Sequence, residues 1–303
     1  MDETSITTLR ATETAPLPAG ATEGYAETNG TRLHYVAAGT SGPLLLLLHG
    51  FPEFWYSWRA QIPVLARHFR VVAPDLRGYN LSDTPAGGYD IASLVEDVRG
   101  LIAALGEREA HVVGHDWGGV IAWALAIRAP DAVRRLAIVN APHPGPFLRA
   151  LRSPGQLRRS SYIGFFQMRG LAERIIARDD YAVIRRTFRA ADRGRAWLAD
   201  EDIERFVTAI ARPGALSAAL EYYRRLMLPA ALRQISPLRV IEAPTLVLWG
   251  ELDIALGTGL LDGLDRWVRD LRVVRFPTAG HWLNQQEPER VSAALEGFFG
   301  EEP

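Results

Sequence analysis

Residues 114–118 read Gly-His-Asp-Trp-Gly. A short apolar strand pattern precedes them and a helical pattern follows, so the segment has the form of the G-x-S-x-G elbow with Asp116 in the nucleophile position. The flanking glycines allow a sharp turn that projects the central side chain beside the amides of a helix N-terminus. An Asp there can also be a plain N-cap, so its partners decide. A serine needs a base to remove its proton; a carboxylate is ionised near neutral pH and does not. Attack on an ester carbonyl would give an anhydride. Attack on an electrophilic saturated carbon gives an alkyl ester, which activated water can hydrolyse. Asp116 therefore points to epoxides or alkyl halides. The base expected after the last strand is His281, in Gly280-His281-Trp282. The orienting acid expected after the strand before it is Asp253, with Glu251 as its rival. Asn140, after an earlier strand, lacks the charge. The backbone N–H groups of Phe51 and Trp117 are the expected oxyanion donors.

Composition narrows the chemistry further. The 303 residues include no Cys, and all 34 basic side chains are Arg. Disulfides, Cys-ligated metals, thiolate nucleophiles and Lys Schiff bases are excluded. A net charge of −1 does not suggest nucleic-acid binding. The longest pure aliphatic stretch, residues 44–48, is too short to span a bilayer. Residues 1–24 lack a basic, apolar secretory signal and read as a flexible leader, so a soluble cytoplasmic protein is expected.

The elements that must position these residues alternate. Strand patterns occupy residues 31–38, 43–48, 70–73, 111–113, 133–139, 244–249 and 271–276. A helix is expected from Ile91 to Leu105, capped by Asp90 and stopped by Gly106. Another occupies 118–128, and a last one starts at Pro288. From 141 to 236 the strand signal fades into helices at about 156–167, 171–177, 180–189, 200–210 and 215–226. Residues 141–240 hold 18 Arg against 9 Asp+Glu, and the rest hold 16 against 26. Such a shift marks an inserted module. The expected organisation is an α/β core of residues 25–140 and 237–303 carrying a helical cap, residues 141–236.

Taken together, these stretches closely resemble epoxide hydrolases of the α/β-hydrolase fold, of the soluble bacterial type. The resemblance rests on HGFPEFWYSWR at 49–59, PDLRGYNLSD at 74–83, GHDWGG at 114–119, NAPHP at 140–144, WGELD at 249–253 and GHWLNQQEPE at 280–289. It implies a mostly parallel sheet with helices on both faces and an inserted helical lid. It also implies two lid tyrosines that hydrogen-bond the epoxide oxygen: Tyr162 in SSYIGFFQ and, in EYYRRLM, Tyr223 in preference to Tyr222. A phenol can protonate the alkoxide released by ring opening, although a lid tyrosine can equally be a core aromatic. Phe51, Trp117, Tyr162 and Tyr223 would contact the substrate. Arg169 and Ala172 stand where related sequences carry prolines. The implied reaction takes a small-molecule epoxide and water to a diol, without metal or cofactor. Haloalkane dehalogenase chemistry is the enzymatic rival, though Phe51 stands where that family resembles H-G-N-P. A small-molecule binder on the same fold is the non-enzymatic rival. His49 and His115 read as loop supports, His143 as a hinge residue, and Asp75 and Arg77 as loop ties. The lid arginines read as a solvated surface, with a lid-mediated homodimer as the second reading.

Overall fold

The computed structural model describes residues 15–192, 197–226 and 239–301. Eight strands form one sheet in the order β1-β2-β4-β3-β5-β6-β7-β8. They are β1 (Thr22–Thr28), β2 (Thr31–Ala38), β3 (Leu44–Leu48), β4 (Arg70–Pro74), β5 (Ala110–His115), β6 (Val133–Val139), β7 (Thr245–Gly250) and β8 (Leu271–Phe276). The β1–β2 and β2–β4 pairs are antiparallel, and every pair from β4 through β8 is parallel. This is the mostly parallel sheet that the alternation of elements predicts, in the form that the resemblance to α/β hydrolases implies. All five leucines of β3 are buried, because a central parallel strand is covered on both faces.

The helices follow from local signals. Helix α1 is Gln61–Leu65 and α2 is Ile91–Ala104. Asp90 caps α2 through Ser93 N, and Gly106 takes a left-handed φ of 84° just beyond its end. Its apolar stripe from Ile91 to Ile102 is buried. Helix α3, Trp117–Arg128, starts at the elbow and packs on β3, β5 and β6.

The lid lies between β6 and β7. Its described helices are α4 (Pro144–Ala150), α5 (Pro154–Arg159), α6 (Ser161–Phe166), α7 (Leu171–Asp192), α8 (Asp200–Ile210) and α9 (Ala215–Leu226). Within α7 the backbone from Arg178 to Tyr181 is non-helical, so the span is two helices meeting at a turn. Lid and sheet share one apolar core: Phe206 packs on Phe54, and Phe188 on Trp282. Helices α10 (Leu283–Gln286) and α11 (Pro288–Gly300) close the fold.

Three differences from the sequence expectation have local causes. Strand β1 begins inside the range read as leader; it is a mostly exposed edge strand without an apolar alternation. Helix α4 was not anticipated, because Pro144-Gly145-Pro146 hides a helix that His143 caps through Gly145 N. The helix expected at 156–167 is divided at Ser160 into α5 and α6. The cap boundary expected at 236/237 falls outside the described residues. Among the described residues no helix is long and apolar enough to cross a membrane.

Candidate active site

Asp116 sits between β5 and α3 at φ 49°, ψ −116°, a conformation that costs a non-glycine residue on the order of 1–3 kcal/mol. Its neighbours impose it. A Cβ on Gly118 would lie 2.2 Å from the Leu48 carbonyl oxygen, and one on Gly114 would lie 2.3 Å from that of Gly118. Strand end and helix start therefore touch backbone to backbone, and the Asp116 side chain is turned outward. The loop after β3 faces it: Phe51 N donates to Asp116 Oδ1 at 2.9 Å, and a Cβ on Gly50 would strike the Asp116 Cβ at 2.4 Å. The Phe51–Pro52 peptide is cis.

His281 lies beyond β8, with its Nε2 3.6 Å from Asp116 Oδ2. Its Nδ1 is 2.8 Å from Asp253 Oδ2. Asp253 also accepts from Asn140 Nδ2 at 2.8 Å and from the amides of Ala255 and Leu256 at 2.7 and 2.8 Å. So anchored, the carboxylate accepts the Nδ1 proton and leaves Nε2 turned towards Asp116. Burial alone would raise the Asp253 carboxyl, but the opposing charge and hydrogen bond of His281 outweigh it and lower it. Burial likewise opposes the imidazolium, yet Asp253, then Asp116 and Glu53, overcome it and raise His281 from 6.5 to about 9. The rival acid Glu251 is engaged elsewhere, 2.6 Å from Arg275 Nε. Asn140 is a clamp: its amide also donates to Gly250 O, and its oxygen accepts from Gly250 N.

A second buried pair stands behind the first, and residue spacing alone gave no sign of it. His115 Nε2 is 2.9 Å from the carbonyl oxygen of His281, and His115 Nδ1 is 2.9 Å from Glu53 Oε2. A carbonyl oxygen only accepts, so Nε2 is the donor there, and Nδ1 faces the Glu53 carboxylate. Glu53 also accepts from Gln285 Nε2 at 2.6 Å, and Gln285 Oε1 accepts from Arg59, which pairs with lid residue Asp202 at 3.1 Å. Polar contacts thus run from the lid to the backbone of His281. His49 Nε2 accepts from Leu76 N at 3.0 Å, so its Nδ1 donates to Gly50 O. Burial holds this imidazole below its usual range, in keeping with a neutral loop support. His143 caps α4 and stacks on Trp267, while Asp75 fixes loop groups through Trp55 N and Asn80.

The lid tyrosines differ sharply. Tyr162 and Tyr223 line the same cavity as Asp116, with ring centroids 5.8 Å apart. Tyr223 also meets Trp117 and Phe51 edge-on, at 5.0 and 5.6 Å. Tyr222, one residue away, points into the core and donates to the Arg77 carbonyl oxygen at 2.7 Å. Burial, then the charge of Asp116, pushes both cavity phenols well above the usual tyrosine range. They are therefore protonated donors at neutral pH. Behind them, Gln167 Nε2 donates to Ile163 O and Tyr223 O, and buried Arg224 donates to Phe166 O at 2.8 Å. Arg224 also pairs with Glu173 and Glu221, and Arg169 grips Glu221 with both terminal guanidinium nitrogens. Where proline would stiffen this turn by its ring, Arg169 ties it to α9 by charge. The cavity encloses about 550 Å³ and is otherwise mainly apolar, in the range of small-molecule sites.

Sheet order, elbow and inserted lid define an α/β hydrolase. Residues 43–288 match the sequence profile of the alpha/beta hydrolase fold, and the chain belongs to that family. Epoxide hydrolase 4 of Mus musculus is 38% identical over 283 residues, spanning 90% of this chain and 78% of that one. The AB hydrolase superfamily protein YfhM of Bacillus subtilis (strain 168) is 39% identical over 276 residues, 89% of this chain and 95% of its own. The crystal structure of Bacillus megaterium epoxide hydrolase in complex with an inhibitor superposes with a TM-score of 0.85 at 34% identity, covering 92% of this chain and all of that one. Within the fold family, this chain is a member of the epoxide hydrolases.

Proposed function

We propose that the protein hydrolyses epoxides to vicinal diols through a covalent ester on Asp116. One observation carries the reading: a carboxylate held by a backbone N–H shares an apolar cavity with two protonated phenols, and an imidazole stands 3.6 Å behind it. Oδ1 already accepts from Phe51 N, which leaves Oδ2 as the attacking atom. It bonds to a ring carbon while that carbon's bond to the ring oxygen breaks. The oxygen takes its proton from Tyr162 or Tyr223, whose phenols bracket it. Alkylation removes the charge of Asp116, one of the groups that raise His281, so the imidazolium releases its proton more readily and the neutral imidazole is available when water must be activated. Water gives a proton to Nε2 and adds to Cγ of the ester. The amides of Phe51 and Trp117 face the resulting oxyanion. Collapse releases the second diol oxygen, and the two protons of water end on the diol and the phenol. A departing halide would need no proton, so the paired phenols favour epoxides over haloalkanes. The test is to mix the His281→Gln variant with an epoxide and measure intact mass. An adduct of substrate mass on the peptide containing Asp116 is expected; no adduct, with activity also lost, would refute the ester scheme.

A further inference from the structure

The cavity extends well beyond the reacting groups. Trp117, Val120, Ala124, Ile127 and Arg128 all line it, and their spacing places them along one face of α3. At 1.5 Å per residue, that row runs roughly 16 Å from Asp116 towards the far end of the helix. The opposite wall is apolar lid, chiefly Phe147, Leu151 and Leu157. Leu148 and Leu157 line the cavity yet are 37% and 59% exposed, so the lid side of the arm reaches solvent. The row gives the cavity a long apolar side beyond the reacting groups. The polar groups that could grip a ring oxygen, Asp116, Tyr162 and Tyr223, are together at its inner end.

Resting on the epoxide reading, we infer that the preferred substrates carry one long, unbranched apolar chain on the oxirane, and that Ala124 sets how much of it is buried. The ring binds between Asp116 and the phenols, and the chain lies along α3. With carbon–carbon bonds of about 1.5 Å, an extended chain of about ten methylenes fills most of the arm. Ala124 is the smallest side chain of the row and lies midway along it, so it leaves the arm continuous.

The experiment measures kcat/KM over the terminal epoxides from 1,2-epoxybutane to 1,2-epoxydodecane, in the native protein and in Ala124→Trp and Leu151→Trp. The native protein should gain up to about fourfold per added methylene, the factor for burying one CH2, until the arm is full. Either substitution should end that rise at a shorter chain and lower the long-to-short ratio by at least tenfold. Leu151→Trp acts from the opposite wall and keeps the test valid if Ala124→Trp fails to fold. Turnover that is flat with chain length, or a rise that both variants retain, would overturn the chain inference alone. Failure of the native protein to open any member of the series would overturn the epoxide reading itself.

Discussion

Asp116, His281 and Asp253 meet in one place because each follows a parallel strand, and adjacent parallel strands end on the same edge of a sheet. Their order along the chain therefore points to one edge of the sheet. The choice between Tyr222 and Tyr223 could not be made that way: on a helix, one residue turns a side chain by about 100°, given 3.6 residues per turn. Glu53 and His115 were illegible for another reason, since they are 62 residues apart and only the packed loops bring them to 2.9 Å. Both are fully buried, so Glu53→Ala would leave half of a buried pair. It should destabilise the protein by about 3–5 kcal/mol, measured by urea unfolding. His281 makes a prediction of opposite pH sense from acid unfolding. Its folded value, about 9, lies above 6.5, so the protonated form is bound more tightly in the folded state. This contribution is complete below pH 6.5 and is lost as pH rises through about 9. The melting temperature should therefore fall across that window, and His281→Gln should remove that part of the fall.

At the scale of elements, two lid helices carry the cavity phenols. Helices α6 and α9 are joined behind Tyr162 and Tyr223 by Gln167 and Arg224, and the outer Arg169–Glu221 grip adds to this. If this junction sets the separation of the two phenols, Arg224→Gln should slow ring opening about tenfold, equivalent to about 1.4 kcal/mol. It should also shift which ring carbon is attacked. Rapid-quench kinetics and the regiochemistry of the diol read the two effects. A variant that merely lost stability would keep the native regiochemistry. The sequence showed that this segment departs from the proline-bearing pattern, but not that charge replaces stiffness there, because Glu221 is 52 residues away. Strand β1 and helix α4 escaped notice for the reverse reason: an exposed edge strand and a helix opening on prolines lack the periodicity that marks buried elements.

Over the whole molecule, a mostly parallel sheet and a helical insertion were legible in the alternation of strand and helix patterns and in the shift in charge, whereas the strand order was not. A central sheet must bury its strands, and a run such as that in β3 states this plainly. The depth of the cavity was not legible, since it is lined from α3, the hinge and several lid helices at once. Fold, strained elbow and phenol-lined cavity together support one central claim, that the substrate is joined to Asp116 before water acts. A single turnover in heavy-oxygen water tests it most directly, with enzyme in excess over epoxide. The diol should leave unlabelled, and the new oxygen should appear in the Asp116 carboxylate. Label entering the diol, with none in Asp116, would mean direct attack by water and would contradict it.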